Sequence, residues 1–502
     1  MSIFVLSRNL NSIRTRPVLL YAGVPFLVTA FLWATGSKEL SISEILAGFI
    51  LSWIPWASYQ EWYRGSRQDL PLFSLVAAMY WVAYAAPLFW SSHVIGLVNG
   101  NHRLSERAIA QSMYLVVSGV LALWTGMKIT AKWCQASSTR VDVPENPWRW
   151  QYLRIVLIAT VLMKIVVPIT AWGESARQIV VNIETFVASI VFVIMLRSWL
   201  RGEAVKVDKV LVTGYLLAAL VVGLASGWLG TFVGLGIICV AAYLYEKHKL
   251  PVTALLVVLP IVMFLQPGKA KFREVYWKGG PKESYSSGYA ERITFWIEAS
   301  SQAWGRALTD PTGAQGFPVL AGATVNRLSL LEQTANVIEM TPAQVPYQYG
   351  RLYSYLPITF VPRVLWPEKP SITDANKWYQ LAYHLTAPAN IESVGISVGT
   401  LAESYISFGW IGPVIVMFCL GVLLGVVKNL FMHTASGLLF SSIGVSLLPG
   451  LLAVESQMAV YVAGLLQQVF FALLTLAPVI TVSRRDSCIS GTALSRARVI
   501  SR

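Results

Sequence analysis

The sequence predicts an all-α polytopic membrane protein with about twelve transmembrane helices and one large external loop. Hydrophobic residues make up 55% of the 502-residue chain, only 13% of the residues are charged, and the mean hydropathy is +0.57. A soluble protein of this size could not cover its surface with so few polar residues. The apolar residues also form long runs rather than short alternating segments, which argues against a closed β-barrel.

The apolar runs have the length that a helix needs to cross a bilayer, roughly 17 to 25 residues. Two boundaries are placed at short breaks, SGWLG at 226–230 and SQ at 456–457, where tight hairpins fit better than one very long helix. The chain then has three parts: an N-terminal bundle (1–266), a loop (267–398) and C-terminal helices with a basic tail (399–502). The predicted spans are 17–35, 41–59, 71–91, 108–129, 152–172, 177–198, 208–225, 228–246, 250–266, 399–427, 436–454 and 457–482.

The distribution of Lys and Arg predicts the orientation. The formal net charge is +14, and the cations concentrate in both termini and in alternate short loops. Because Lys and Arg favour cytoplasmic loops, both termini are expected in the cytoplasm and the loop 267–398 outside it. The basic balance is therefore a topology signal, and we expect no nucleic-acid partner.

Two charges fall inside predicted spans. Lys164 and Glu184 lie at similar depth on either side of a short hairpin, so we predict an intramembrane ion pair. Such a pair could be a structural clamp or a polar wall of a substrate cavity. Both interpretations stay open at this point.

The loop contains two predicted helices. Residues 289–308 show helical periodicity with Trp296 and Trp304 on one face, which fits a helix at the membrane surface or a packed periplasmic helix. A second helix is predicted at 325–340, headed by Arg327. None of the four cysteines lies in the loop, and no ligand spacing suits a metal, so we expect no metal and no cofactor.

Residues 343–398 contain six prolines, which prevent long regular helices. Between the prolines lie the cations Arg351, Arg363 and Lys369 and the aromatic residues Tyr353 and Trp366. Guanidinium and ammonium groups bind phosphate oxygens, and aromatic faces suit the apolar C–H surfaces of sugar rings. Together they predict an anionic, sugar-bearing, lipid-anchored ligand in the bilayer.

Three motifs carry a family resemblance: G-R-L-Y at 350–353, P-R-V-L-W-P-E-K-P at 362–370 and E-S-Y-I-S-F-G-W-I-G at 403–412. They resemble the signature of bacterial oligosaccharide repeat-unit polymerases of the O-antigen polymerase type. The order of spans and loop is similar to that family along the whole chain.

The resemblance implies a glycosyltransferase of GT-C-like architecture in the bacterial inner membrane. It would join oligosaccharide repeat units carried on undecaprenyl pyrophosphate at the periplasmic face, beside a flippase and a chain-length regulator of the same pathway.

Such chemistry needs a base for the incoming hydroxyl group and cations for the pyrophosphate leaving group. Glu403 is the candidate base, His384 is a second candidate, and Arg363 is the first candidate for the developing phosphate charge. Glu403 could instead pair with Arg363 and hold the signature together, and each arginine could hold the loop. The candidate substrate-binding residues are Arg351, Arg327, Arg292 and Lys369 for pyrophosphate, and Tyr353 and Trp366 for sugar.

Three other functions compete with the polymerase. The segment R-I-T-F-W at 292–296 is faintly similar to the loop of O-antigen ligases, which transfer a finished glycan to an acceptor. A flippase or transporter of lipid-linked oligosaccharides would use the same cations for binding alone, and a structural partner of an assembly complex would catalyse nothing. Transporters usually place polar sites near the bilayer midplane in broken helices, so an external loop favours the enzyme.

Overall fold

The computed structural model describes most of the chain. The described residues are 18–36, 40–65, 69–90, 94–97, 100–133, 139–142, 146–166, 183–249, 251–276, 288–310, 316, 320, 327–361, 366, 368–391, 395–433 and 437–484. The following elements are therefore those of the described part.

The first half of the chain is mainly helical. A β-hairpin, β1 (Val94–Leu97) and β2 (Gly100–Arg103), follows the third helix, and β3 (Thr139–Asp142) pairs with β4 (Thr481–Arg484) near the other end of the sequence. The helices are α1 (Val18–Thr35), α2 (Ile42–Arg64), α3 (Leu72–Trp90), α4 (Glu106–Trp133), α5 (Pro147–Val166), α6 (Ala188–Arg201), α7 (Lys206–Ser226), α8 (Leu229–Lys247) and α9 (Val252–Leu265).

The second half has shorter helices before it returns to long apolar ones. A 3₁₀ turn at Arg351–Ser354 precedes α13, and π turns interrupt α3 at Trp81–Ala85 and extend α16 at Lys428–Met432. The helices are α10 (Lys269–Tyr276), α11 (Tyr289–Thr309), α12 (Leu331–Met340), α13 (Tyr355–Thr359), α14 (Asp374–Ala382), α15 (Thr400–Phe408), α16 (Ile411–Val427), α17 (Gly437–Leu451) and α18 (Met458–Leu476).

Within this described part, six helices are long and apolar enough to cross a membrane, or seven if α9 and α10, bent by 54°, count as one span. The six begin at residues 72, 106, 206, 229, 411 and 458. The all-α membrane class is therefore confirmed. The count of twelve spans stays a prediction, because shorter helices such as α17 do not meet the same length requirement.

Glycines let α4 and α16 pack closely in parallel. A side chain on Gly119 would meet Met417, one on Gly126 would meet Val422, and one on Gly425 would meet Thr130. Residue numbers rise together along both helices, so Lys128 and Lys428 lie at the same end of the bundle. Small residues at a helix interface allow this close approach of two backbones.

Residues 399–427, predicted as one span, form two helices. α15 ends at Gly409, whose φ of +63° lies outside the range that a continuing helix of L-residues can adopt. α16 then turns back along α15, so that any side chain at Gly412 would overlap the Ser404 carbonyl group. The prediction of a single span is wrong because composition does not mark this reversal.

The loop helices pack against the bundle. The Leu330 N–H, just before α12, donates to the carbonyl oxygen of Ala83 at 2.9 Å, and Ala83 lies in the π turn of α3 where the regular ladder is interrupted. In α11, Trp296 is buried and its indole N–H donates to the Leu265 carbonyl oxygen at 2.9 Å. The predicted helix at 289–308 is confirmed, and it packs across the end of α9.

The predicted pair of Lys164 and Glu184 lies outside the described side chains. Two other ion pairs, one partly buried and one buried, tie helices together in the described part of the chain. Arg154 Nε donates to Asp208 at 2.6 Å between α5 and α7, and the fully buried Arg197 donates to Glu246 at 2.6 Å between α6 and α8. Buried charges need such partners, and these pairs hold the scaffold on which the site is built.

Candidate functional site

The two halves of the sequence signature lie in direct contact. The backbone N–H groups of Gln348 and Tyr349 donate to the carbonyl oxygens of Ile406 and Ser407, at 2.9 and 3.0 Å. These bonds occupy carbonyl groups near the C-terminal end of α15, where a helix leaves its last carbonyls without internal partners. Segments more than fifty residues apart in sequence therefore form one surface.

Glu403 lies on α15 beneath this surface and has no solvent exposure. Its Oε2 accepts a hydrogen bond of 2.7 Å from the backbone N–H of Met458, the first residue of α18. The N-terminus of a helix offers unpaired N–H groups and a positive dipole end, so a carboxyl group is stabilised there. Its other oxygen, Oε1, has no hydrogen-bond partner among the described residues.

The environment of Glu403 favours its protonated form at neutral pH. Burial raises the pKa of Glu403 to about 8, although the hydrogen bond from Met458 acts in the opposite direction. A carboxyl group with such a pKa can accept a proton near physiological pH and release it again. Glu403 can therefore exchange a proton near neutral pH.

Tyr353 lies close to Glu403. Its ring stacks on Phe408 with the ring centres 5.8 Å apart, and its buried hydroxyl group has no hydrogen-bond partner in the described part of the chain. Burial raises the pKa of Tyr353 well above its usual value, and the charge of Glu403 raises it further. Tyr353 thus stays a neutral phenol that can donate a hydrogen bond.

More buried polar atoms without partners surround this pair. They belong to elements that pack around α15, where Tyr379, Tyr383, Tyr405 and Leu352 form one apolar cluster. Native interiors rarely leave such atoms unpaired. A polar occupant such as a sugar would satisfy them. Among the described residues, the unpaired atoms near Glu403 include Ser407 Oγ, Gln457 Oε1, Tyr379 Oη and Gln380 Oε1.

Three cations lie within electrostatic range of one another, and we name Lys269, Arg273 and Arg327 the cation cluster. Burial lowers the pKa of Lys269 to about 8, the charges of Arg273 and Arg327 lower it further, and Glu455 acts in the opposite direction. Burial and Arg327 likewise lower the pKa of Arg273. Cations gathered in this way can bind an anionic group.

The helix α10 carries two members of the cation cluster, and contacts with α11 fix its position. The indole N–H of Trp304 donates to the Phe264 carbonyl oxygen at 3.0 Å, in parallel with the bond from Trp296 to Leu265. Lys271, on the same helix, reaches Gln302 of α11 at 3.4 Å. The 54° bend after α9 is therefore held by side chains that cap the end of an apolar helix.

One short segment, 454–458, joins the cation cluster to Glu403. Glu455 acts on Lys269, and the Met458 N–H holds Glu403. A side chain on Gly399, just before α15, would lie 3.5 Å from both Leu330 and the Val454 carbonyl oxygen, which brings the residues after Arg327 to the same segment. The segment 454–458 therefore holds Glu403 and also lies within electrostatic range of Lys269.

Other candidates lie elsewhere. The ammonium group of Lys369 donates to the Val361 carbonyl oxygen at 2.8 Å, so it holds the proline-rich loop. The Arg292 guanidinium lies 5.4 Å from the centre of the Tyr276 ring, at the far end of α10. Arg351 is exposed, and Trp366 is 41% exposed.

His384 is placed away from the buried carboxyl group, on an exposed turn. His384 is exposed beyond the end of α14, with a φ of +52°. Arg363 lies outside the described residues, and its predicted role stays a prediction.

Sequence reasoning missed Lys269 and Arg273. They stand four residues apart, directly after the apolar run 250–266, in the segment K-A-K-F-R-E. That spacing places both on one face of a helix. The sequence therefore contains this pattern of cations, but the predicted site residues lie farther along the chain, most of them among the prolines of the loop.

Comparison with known proteins gives a family without a named activity. The family model described as "Domain of unknown function (DUF8712)" matches residues 91–442, more than two thirds of the chain. This range includes the cation cluster and Glu403, whereas Met458 lies beyond it. No curated protein and no solved structure matches the chain.

Proposed function

The chain belongs to the DUF8712 family, and we propose that it is an integral membrane glycosyltransferase that polymerises oligosaccharide repeat units carried on undecaprenyl pyrophosphate. The product would be a surface polysaccharide such as O-antigen, capsule or exopolysaccharide. The proposal includes about twelve spans in a GT-C-like arrangement in the bacterial inner membrane, with both termini cytoplasmic and the site on the periplasmic side.

One observation carries the proposal: the segment 454–458 holds Glu403, a buried carboxyl group with an unpartnered oxygen, and also contains Glu455, whose charge acts on Lys269 of the cation cluster. Glycosyl transfer from a lipid pyrophosphate needs both groups. Glu403 would accept the proton of the attacking sugar hydroxyl. The cation cluster would stabilise the negative charge on the departing pyrophosphate.

The proposed reaction balances without another reactant. The acceptor oxygen forms a bond to the anomeric carbon of the growing chain, and the bond from that carbon to the pyrophosphate oxygen breaks. The bonding electrons leave with undecaprenyl pyrophosphate, while the acceptor proton moves to Glu403. Water then receives this proton and restores the base.

The site is closed in this structure, since Glu403 is fully buried under Tyr353 and Phe408. We propose that an acceptor reaches Glu403 when the 3₁₀ turn Arg351–Ser354 moves away from α15. The turn has exposed residues on its outer side, including Arg351 and Ser354. Movement of a loop that completes or opens a site is a common step in enzymes.

The experiment is deletion of the gene followed by analysis of lipid-linked and surface glycans. Loss of a polymerase leaves single repeat units that are still exported. Full-length polymer that stays on its carrier would instead indicate a ligase, and units trapped in the cytoplasm would indicate a flippase. Either outcome would overturn the polymerase proposal.

Complementation with two lysine variants then tests the site. Lys269→Met removes a member of the cation cluster and should lower polymerisation about a hundredfold. Lys271→Met is the matched control, because Lys271 lies on the same helix but is exposed and contacts Gln302. Equal polymer output from the two variants, at equal membrane abundance, would remove the cation cluster from the mechanism.

One observation favours a lipid-linked oligosaccharide transporter as the second candidate. The site lies between broken helices, α15 and α16 on one side and α17 and α18 on the other. Leu401 of α15 packs against Gly119, the middle of α4, so the site lies well below the ends of the long helices. Transporters commonly place substrate sites at such interruptions.

A further inference from the structure

A second candidate site lies at the end of the bundle that carries Lys128 and Lys428, away from Glu403. Two cavities adjoin there: a polar cavity of about 280 Å³ between α2, α4 and α16, and an apolar cavity of about 340 Å³ between α1, α2 and α3. Along α16, Gly412 packs on α15 and Lys428 lines the polar cavity, which at ~1.5 Å per residue separates them by about 24 Å. The proposed transfer reaction does not use these cavities.

The polar cavity contains two cations and two carboxylates. Lys128 pairs with Glu61, and Lys428 Nζ lies 2.7 Å from Asp69 Oδ2. The side chains of both pairs remain 24–57% exposed to solvent. Exposed pairs of this kind contribute little to stability, so a ligand with its own charges can separate them at low cost.

The backbone and aromatic side chains around these charges are fixed. The indole N–H of Trp62 donates to the Asp69 carbonyl oxygen at 2.7 Å, and Lys128 Nζ lies 5.8 Å from the centre of the Trp124 ring. The four charged groups sum to zero. The cavity is therefore complementary to a head group with one negative and one positive charge.

The apolar cavity continues from this charged cavity. Pro71 and Ser74 line both, and the remaining walls of the apolar cavity include Pro25, Trp56 and Trp81. Ser74 is only 6% exposed, and its hydroxyl group has no hydrogen-bond partner among the described residues. A buried hydroxyl without a partner at the junction of a charged and an apolar cavity points to a ligand with a polar group at that position.

We propose that the two cavities bind one diacyl phospholipid with a primary ammonium head group. Its phosphate lies between Lys128 and Lys428, its ammonium group contacts Glu61 and Asp69, and an ester oxygen accepts a hydrogen bond from Ser74. One acyl chain fills the apolar cavity. The site would hold this lipid in the membrane leaflet opposite the one that faces Glu403.

The chemistry selects this head group over two others. A primary ammonium has three N–H donors for the two carboxylates, whereas a quaternary choline has none. An anionic glycerol head group would place its phosphate near both lysines but leave the carboxylates facing negative charge. The proposal therefore commits to an aminophospholipid.

Native mass spectrometry of the purified full-length protein tests the proposal. The protein is equilibrated with phosphatidylethanolamine, phosphatidylcholine and phosphatidylglycerol of identical acyl chains, and the retained lipid is counted. We expect an about tenfold preference for phosphatidylethanolamine. Equal retention of the three lipids, or preference for phosphatidylglycerol, would overturn the proposal.

A charge variant gives a readout that does not depend on loss of folding. The double variant Glu61→Gln with Asp69→Asn leaves two unpaired lysines and should reverse the preference towards phosphatidylglycerol. Lys209→Met, which changes an exposed lysine on α7, is the control and should keep the wild-type preference. An unchanged preference in the double variant would also refute the assignment.

Discussion

Replacing Glu403 with glutamine separates the two roles that its carboxyl group can have, helix cap and base. The glutamine carbonyl oxygen can still accept the hydrogen bond from Met458, so the cost in stability should stay near or below ~1 kcal/mol. Glutamine cannot accept a proton at neutral pH. If Glu403 is the general base, polymerisation should fall by about 10²- to 10⁴-fold.

The pH dependence of the wild-type protein follows from two perturbed groups. Since burial raises the pKa of Glu403 to about 8, about a tenth of the molecules carry the carboxylate at pH 7, and the rate should rise with pH up to that value. Lys269, whose pKa burial and two arginines lower to about 8, loses its charge above it. The two limbs give a bell-shaped profile with its maximum near pH 8.

The raised pKa of Glu403 also determines how the stability of the protein depends on pH. Its value of about 8 in the folded protein lies above the ordinary 4.5 of a glutamate. The contribution of this group to stability is therefore complete below pH 4.5 and is lost as the pH rises through 8. Glu403→Gln should flatten this part of the stability profile.

The assay measures initial rates of chain extension with purified lipid-linked repeat units between pH 6 and 10, normalised to folded protein. Glu403→Gln should lack the rising limb, and Lys269→Arg should lack the falling limb because arginine keeps its charge. Glu44→Gln is the matched control, since Glu44 is also buried and accepts a backbone N–H at a helix start, from Ser41 at 2.9 Å. A rising limb and normal rate in Glu403→Gln would refute the assignment of the base.

Two further substitutions, each with a control substitution, test the packing of the site. Tyr353→Phe removes a hydroxyl group that has no partner in the described structure, so it should lower polymerisation and leave thermal stability unchanged or raise it. Tyr383→Phe is the control, because it removes a hydroxyl group that is hydrogen-bonded to Thr341 at 2.6 Å. It should lower the free energy of unfolding by ~1 kcal/mol without loss of turnover. Gly412→Ala would overlap the Ser404 carbonyl group and should destabilise the protein by ~1–3 kcal/mol in thermal unfolding, whereas Gly464→Ala, with open space around it, should not. A neutral Gly412→Ala would contradict the close packing of α15 on α16.

The length of the apolar runs alone predicts much of the fold. An apolar segment in a membrane must satisfy its backbone hydrogen bonds internally, so runs such as 71–91 and 457–482 become helices whatever surrounds them. The length of the apolar runs does not predict the reversal of the chain after α15. The reversal depends on the positive φ of Gly409 and on the Tyr347 ring, which would lie 3.3 Å from a Cβ atom at that position. Both features depend on the tertiary structure.

The sequence motifs predict only those site residues that lie within the motifs. Glu403 and Tyr353 come from the motifs themselves, and the structure brings these motifs together. Lys269 comes from a segment more than a hundred residues before Glu403, and its position depends on the bend between α9 and α10. No local pattern encodes that bend, because side chains of α11 hold it.

The position of Glu403 changes how enzyme and transporter must be distinguished. The sequence placed the polar residues in an external loop, which favoured an enzyme. The structure places Glu403 between broken helices beside the middle of α4, so depth no longer separates the two functions. A protonatable glutamate and a cation cluster would also serve a proton-coupled carrier. The two functions differ in the covalent structure of the product. A polymerase yields a glycan with one more repeat unit and a free lipid pyrophosphate. A transporter releases every substrate at its original mass on the other side of the membrane. Purified protein in detergent, where no second side exists, can therefore show activity only if the chain is an enzyme.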